Sequence, residues 1–235
     1  MLRLHVDAPL AAGAMLDLPP GAARHAQVRR VQPGDELLLF NGLGGEWLGR
    51  VQAMGRQSVS VQVLSYVEAD RELPWAVTLA VGMPANERMD WLLEKATELG
   101  AVSVQPLLCE RAVLRLDGER AERKREHWQA QAVAAAEQCG RTRVPQVQPV
   151  QRLAAWLQHD GLPAQRWLLS PQAAQAPVRP APAQPLVLLS GPEGGLSAAE
   201  EDAALAAGFQ AVQLGPRVLR AETAPLAVLA WLSLP

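Results

Sequence analysis

Through the first 68 residues the apolar positions come in short runs with the spacing of β-strands. Glu36-Leu37-Leu38-Leu39-Phe40 ends at Asn41-Gly42, a turn signal that Gly44-Gly45 prolongs, and Trp47-Leu48-Gly49-Arg50-Val51 reads as the return strand. Ser58-Val59-Ser60-Val61-Gln62-Val63 alternates with period two, the mark of a half-buried strand. Pro33-Gly34-Asp35 is another turn, and short strands at this spacing predict a small β-barrel. Residues 22–31 predict a short helix, on or near which Arg24, His25, Arg29 and Arg30 gather. The polar stretch 68–74 closes on Pro74 and marks a boundary, giving a barrel over residues 1–70 and a second domain over 74–235.

Beyond that boundary the period changes. Ala76-Val77-Thr78-Leu79-Ala80-Val81 is a continuous apolar run, as expected of a strand buried on both faces. From about Asn86, the residues Met89, Leu92, Leu93, Ala96 and Leu99 fall on one helical stripe, and Gly100 stands where a C-terminal cap belongs. Val102-Ser103-Val104-Gln105 predicts the next strand, and Asp117 can cap a long helix that Gly140 stops. Arg166-Trp167-Leu168-Leu169 and Leu186-Val187-Leu188-Leu189 predict two more buried strands. Between them residues 171–185, made largely of Pro, Ala and Gln, read as a loose linker. Ser197-Ala198-Ala199-Glu200 is a capping box that opens a helix ending at Gly208. Ala211-Val212-Gln213-Leu214 is a last short strand, and residues 221–234 form a final helix, apolar on nearly every side. Such a helix is buried by its own sheet or by a second subunit. Strands alternating with helices predict an α/β domain with a mostly parallel sheet.

A chain of 235 residues with 49% hydrophobic positions can bury a sizeable core, and a net charge of −2 excludes a globally basic nucleic-acid binder. No apolar run reaches the roughly 18 residues of a membrane span, and Cys109 and Cys139 form no CxxC pair, so a reducing cytoplasm is the expected compartment. His5, His25, His127 and His159 show no metal-ligand spacing, and no metal is expected.

Two segments break strand–helix rules in the same way. Leu189-Ser190-Gly191-Pro192-Glu193-Gly194-Gly195 directly follows one buried strand, and Leu214-Gly215-Pro216-Arg217-Val218-Leu219-Arg220 follows another. Ligands of parallel sheets bind at the carboxyl ends of strands, where glycines let the backbone come close and prolines fix the turn. No lysine follows Gly195 as a phosphate-binding loop requires, G-x-G-x-x-G is absent, and Ser190 is not in a G-x-S-x-G elbow. What remains is a neutral or cationic adenosyl ligand read mainly by backbone groups.

These residues resemble a known signature. Leu188 to Ser197, followed by 214–224, is similar to the cofactor loops of the SPOUT methyltransferases, and more narrowly to the bacterial family that methylates uridine N3 in 16S ribosomal RNA. Arg88-Met89-Asp90-Trp91 through Lys95-Ala96-Thr97-Glu98-Leu99-Gly100 looks like that family's first helix, and Glu110-Arg111 like its Glu-Arg pair. Glu137-Gln138-Cys139-Gly140-Arg141-Thr142-Arg143-Val144-Pro145 is close to its central motif, and Arg24-His25 to Pro33-Gly34-Asp35 to its PUA-like RNA-binding barrel. Ala221 stands where the family usually has Thr, and the basic residue often found near Ala85-Asn86 is missing.

The resemblance implies a trefoil-knotted C-terminal domain that binds S-adenosylmethionine and a chain that pairs as a homodimer. The cofactor would lie against Leu189, Gly191, Pro192, Glu193, Gly194, Gly195, Leu214, Gly215, Leu219, Arg220 and Thr223. Glu222 is the candidate acid–base group and Arg220 the charge stabiliser, with Glu193 the competing carboxylate; Glu222 could instead cap the last helix. Arg24, Arg29, Arg30, Arg111, Arg141 and Arg143 are the candidate RNA contacts, with 16S rRNA, free or within the 30S subunit, as partner. A different RNA target, either a tRNA base or a ribose 2′-hydroxyl, and a non-catalytic RNA-binding factor are the alternatives.

Overall fold

The computed structural model describes every residue except Asn86 and Pro235. The chain forms two compact units, one of residues 1–72 with 136–144 and one of residues 73–135 with 145–235. The sequence reading put everything from residue 74 into the second domain; segment 136–144 instead packs with the first.

The first unit holds β1 (Leu2–His5), β2 (Met15–Asp17), α1 (Pro20–Val28), β3 (Glu36–Phe40), β4 (Glu46–Met54) and β5 (Val59–Val67). They form one sheet in the order β1-β3-β4-β5-β2, parallel between β1 and β3 and otherwise antiparallel. The period-two alternation of β5 turns Val59, Val61 and Val63 into a core with Leu37, Leu39 and Val51. Helix α1 starts two residues earlier than expected because Pro20 suits the first turn, where its missing N–H costs nothing. Segment 136–144 joins this unit through charge. Glu137 accepts from the His5 N–H at 2.9 Å and pairs with His25 Nδ1 at 3.0 Å. The Arg141 guanidinium grips both oxygens of Glu72, and Arg71 donates to the Gly140 carbonyl at 2.8 Å.

The second unit holds β6 (Val77–Gly82), α2 (Glu87–Glu98), β7 (Ser103–Leu108), α3 (Gly118–Cys139, its last residues in the first unit), β8 (Gln146–Val147) and β9 (Gln151–Arg152). After them come α4 (Leu153–Trp156), β10 (Gln165–Leu169), β11 (Leu186–Ser190), α5 (Ala198–Ala206), β12 (Gln210–Val212) and α6 (Thr223–Ser233). The sheet order is β12-β10-β11-β6-β7-β8, with β9 also beside β7 and every pairing parallel. Asn86, where the sequence pattern begins α2, lies outside the described residues. Strand β11 shows why the apolar runs are continuous. Leu186 and Leu188 enter the core on one face of the sheet, Val187 and Leu189 the core on the other.

Residues 171–185 contain no helix or strand, yet they are not loose. Arg179 donates to the carbonyls of Trp231 at 2.7 Å and Leu234 at 2.9 Å, and its guanidinium lies over the Trp75 and Trp231 rings. Trp75 Nε1 donates to the Pro180 and Ala181 carbonyls at 3.1 Å. One arginine between two indoles ties down a segment whose composition lacks apolar anchors.

Candidate functional site

The parallel sheet places β12, β10 and β11 side by side, so the three loops that leave their carboxyl ends meet. They enclose a cavity of about 490 Å³. The loop after β11 supplies Gly191, Pro192, Glu193, Gly194 and Gly195; the loop after β12 supplies Leu214, Gly215, Leu219 and Arg220. Both segments singled out in the sequence therefore face one space. Leu189 and Thr223, also expected there, do not line it. Leu189 is fully buried in the core beneath the loop, and Thr223 opens α6. Sequence reasoning missed the third loop, Ser170-Pro171-Gln172 after β10, although it too follows a buried strand.

Close packing fixes the first loop. A Cβ on Gly191 would stand 2.8 Å from the Leu196 nitrogen, and one on Gly82, at the end of β6, 2.5 Å from Pro192 Cδ. Both positions therefore require glycine. Glu193 accepts from the Ala85 N–H at 2.9 Å and from Arg88 Nη1 at 3.3 Å. Arg111 Nη1 donates to the carbonyls of Gly194 and Leu196, each at 3.2 Å. Arg111, assigned to RNA from the sequence, is thus a strut of the glycine loop. Arg88 meets the cavity from α2.

Two polar atoms here are buried without a hydrogen-bond partner among the described residues. One is Ser190 Oγ, on the cavity wall; the other is Glu222 Oε2. Glu222 is 6% exposed and sits at the N-cap position of α6, but its side chain caps nothing. It opens not onto the main cavity but onto an adjoining cleft that shares Arg88 and Arg220 with it. Of the two candidate carboxylates, Glu193 is committed to Arg88 and the loop, whereas Glu222 keeps an unused acceptor. Burying such an acceptor without a partner costs about 1–3 kcal/mol.

The remaining arginines divide. Arg24, Arg29, Arg30 and Arg143 are exposed on the first unit. Arg141 is 3% exposed and bound to Glu72, so its guanidinium has no open face for a phosphate; its expected RNA contact is corrected to a structural role. Among the described residues no cluster of His, Cys, Asp or Glu could hold a metal ion, and no helix is long and apolar enough to cross a membrane.

The residues present fit an adenosyl sulfonium. The cavity has the volume of a small-molecule site, its lining comes mostly from strand-end loop residues, and it carries one unpaired hydroxyl, Ser190. At Gly195 and Gly215, both with positive φ, no atom lies within 4 Å of where a Cβ would stand, so the loops keep open space there.

Comparison with known proteins agrees with this geometry. The model of the RNA methyltransferase domain matches residues 71–233, and that of the RNA methyltransferase PUA domain matches residues 18–64. The chain is 35% identical to ribosomal RNA small subunit methyltransferase E of Bacillus subtilis over 88% of its own length and 84% of the relative's. It is 36% identical to the protein of that name from Synechocystis, over 88% and 68% of the two lengths. Among solved structures, ribosomal RNA small subunit methyltransferase E of Neisseria gonorrhoeae, bound to S-adenosyl methionine, superposes with a TM-score of 0.92 at 37% identity, covering 98% of this chain and 96% of that one. A Legionella pneumophila protein in complex with the same cofactor also gives 0.92, at 32% identity and equal coverage. The two units are the SPOUT-type α/β domain and the PUA-like barrel that the motifs implied, and the chain belongs to the ribosomal RNA small subunit methyltransferase E family.

Proposed function

We propose that this protein transfers the methyl group of S-adenosylmethionine to N3 of a uridine in 16S ribosomal RNA. The observation that carries the reading is a buried, unpaired Glu222 beside a cavity closed by three strand-end loops. When bound, the cofactor supplies an electrophilic methyl on its sulfonium. The chain's task is then alignment and proton removal. Ser190 and the backbone of 191–195 and 214–219 hold the cofactor. Glu222 takes the N3 proton, and Arg220, which reaches both the cavity and the cleft, stabilises the negative charge that develops on the uracil oxygens.

The exposed Arg24, Arg29, Arg30 and Arg143 bind rRNA phosphates, free or in the 30S subunit. The cofactor loops form a trefoil knot, and two chains pair in the cytoplasm. The chain's own core buries Leu226, Val228, Leu229 and Leu232 of α6, and the small, uncharged positions the helix leaves partly exposed, Ala227 and Ala230, are where a second chain would pack. The test is incubation with S-adenosylmethionine and 16S rRNA or 30S subunits from cells lacking the enzyme, followed by mass mapping of nucleosides. N3-methyluridine is expected; methyl on a ribose, or none, overturns the reading.

A further inference from the structure

The cleft beside the cofactor cavity is lined by Glu87, Asp90, Trp91 and Glu94 of α2, by Gln131 of α3, and by Arg88, Arg220 and Glu222. Its volume is about 490 Å³. Trp91 departs from the pattern of its helix. The apolar stripe of α2, made by Met89, Leu92, Leu93 and Ala96, is fully buried, whereas Trp91 lies off it and is 46% exposed. Positions 87, 91 and 94 share one helix face, so the indole stands between two carboxylates a turn away on either side.

The charges select the occupant. Glu87, Asp90, Glu94 and Glu222 face Arg88 and Arg220, and Arg88 is already paired with Glu193. A phosphate backbone is repelled from such a cleft. A neutral, planar ring carrying an N–H donor is not. Asp90 cannot serve that donor, because its oxygens take Trp128 Nε1 at 3.0 Å and His127 Nε2 at 3.1 Å, and Glu94 is paired with Lys95. Glu222 Oε2 is the buried acceptor left over.

We propose that this cleft holds the acceptor nucleobase swung out of the RNA, stacked on Trp91 and presenting its ring N–H to Glu222. The proposal rests on the Glu222 reading given above and adds the binding surface for the base. An extruded base must recover the stacking it lost, and an indole face provides it for any base. Specificity then comes from the edge: the N–H meets Glu222, and the flanking oxygens meet Arg220 and the Gln131 carboxamide.

The experiment is steady-state methylation of 30S subunits lacking the modification, at saturating S-adenosylmethionine, with calorimetric cofactor affinity and light-scattering mass for each variant. Trp91→Ala is expected to lower kcat/KM for the subunit about ten- to hundredfold, as for loss of one base–aromatic stack. Trp91→Leu keeps the apolar bulk without the ring face and should be equally poor. Trp91→Phe should recover most of the loss, and cofactor affinity and mass should stay unchanged in all three. Wild-type kcat/KM in Trp91→Ala overturns the stack, as does rescue by Leu or a fall in mass that parallels the activity, for then Trp91 serves packing between chains. A Glu222→Gln control separates the two readings. If it stays active while Trp91→Ala fails, the carboxylate role falls and the stack stands; if it is inert while Trp91→Ala is normal, the reverse holds.

Discussion

The loop after β11 is pinned from several directions, whereas the loop after β12 is held at its end. In the first, Glu193 is tied to Ala85 and Arg88, the Gly194 and Leu196 carbonyls are tied to Arg111, and Pro192 lies hard against Gly82. In the second, Leu214 to Glu222, the described backbone hydrogen bonds run from the Thr223 and Ala224 N–H groups to the Arg220 carbonyl. Its Val218 is 83% exposed. A transferase needs both kinds of loop. A rigid wall can shape a small ligand with backbone atoms because the packing, not the ligand, meets the entropic cost of order. A more open loop leaves room for a substrate as large as an RNA to reach the cavity edge.

The largest effect should come from the open loop. Glu222→Gln removes the proposed proton acceptor but keeps shape, so methylation should fall about 100- to 10,000-fold while cofactor affinity holds. Scintillation counting of transferred methyl against a calorimetric titration separates the two. Turnover at the parent rate would return Glu222 to a purely structural place.

Arg111→Ala reverses the pattern. It releases two carbonyls of the pinned loop, and since the arginine is exposed, each charged hydrogen bond counts for less than its buried value of about 1.5–3 kcal/mol. Cofactor affinity should weaken by about three- to tenfold through such a loss, with proportionate loss of rate at low cofactor only. Unchanged affinity would mean that the loop is held by its glycine packing alone.

Cys109 reports on the same wall, since its sulfur would lie 3.0 Å from a Cβ on Gly82. Burial, reinforced by nearby Glu200, pushes its thiol up to about 12, so it stays protonated and unreactive at neutral pH. Iodoacetamide at pH 8 should label the partly exposed Cys139 in the folded protein and Cys109 only after unfolding, read by peptide mass. Ready native labelling of Cys109 would show that the wall opens. The smallest effect belongs to Val218→Ser, expected to change stability by less than about 0.5 kcal/mol and affinity by less than about twofold.

Much of this was legible in the chain. Continuous apolar runs predicted the buried parallel strands, and the glycine–proline segments after two of them marked the cavity. The third loop was missed because Ser170-Pro171-Gln172 opens a Pro- and Ala-rich stretch that looks like spacer; its anchor, Arg179 between two indoles, draws on residues far away in sequence. Arg141 read as a phosphate ligand because its partner, Glu72, lies 69 residues upstream. The capping role that competed for Glu222 was reasonable from position alone, since carboxylates favour helix N-termini. Only the packing shows that the side chain makes no capping hydrogen bond and keeps an unpaired oxygen.

The carboxyl ends of β10, β11 and β12 form one cavity for S-adenosylmethionine. Calorimetric titration of that compound into the parent protein and into Gly191→Ala tests it most directly, because the added methyl has no room beside the Leu196 nitrogen. The parent should bind one molecule per chain, and the variant should lose binding or weaken it at least about tenfold, as expected of a displaced loop. Equal binding by both proteins, or none by the parent, would contradict it.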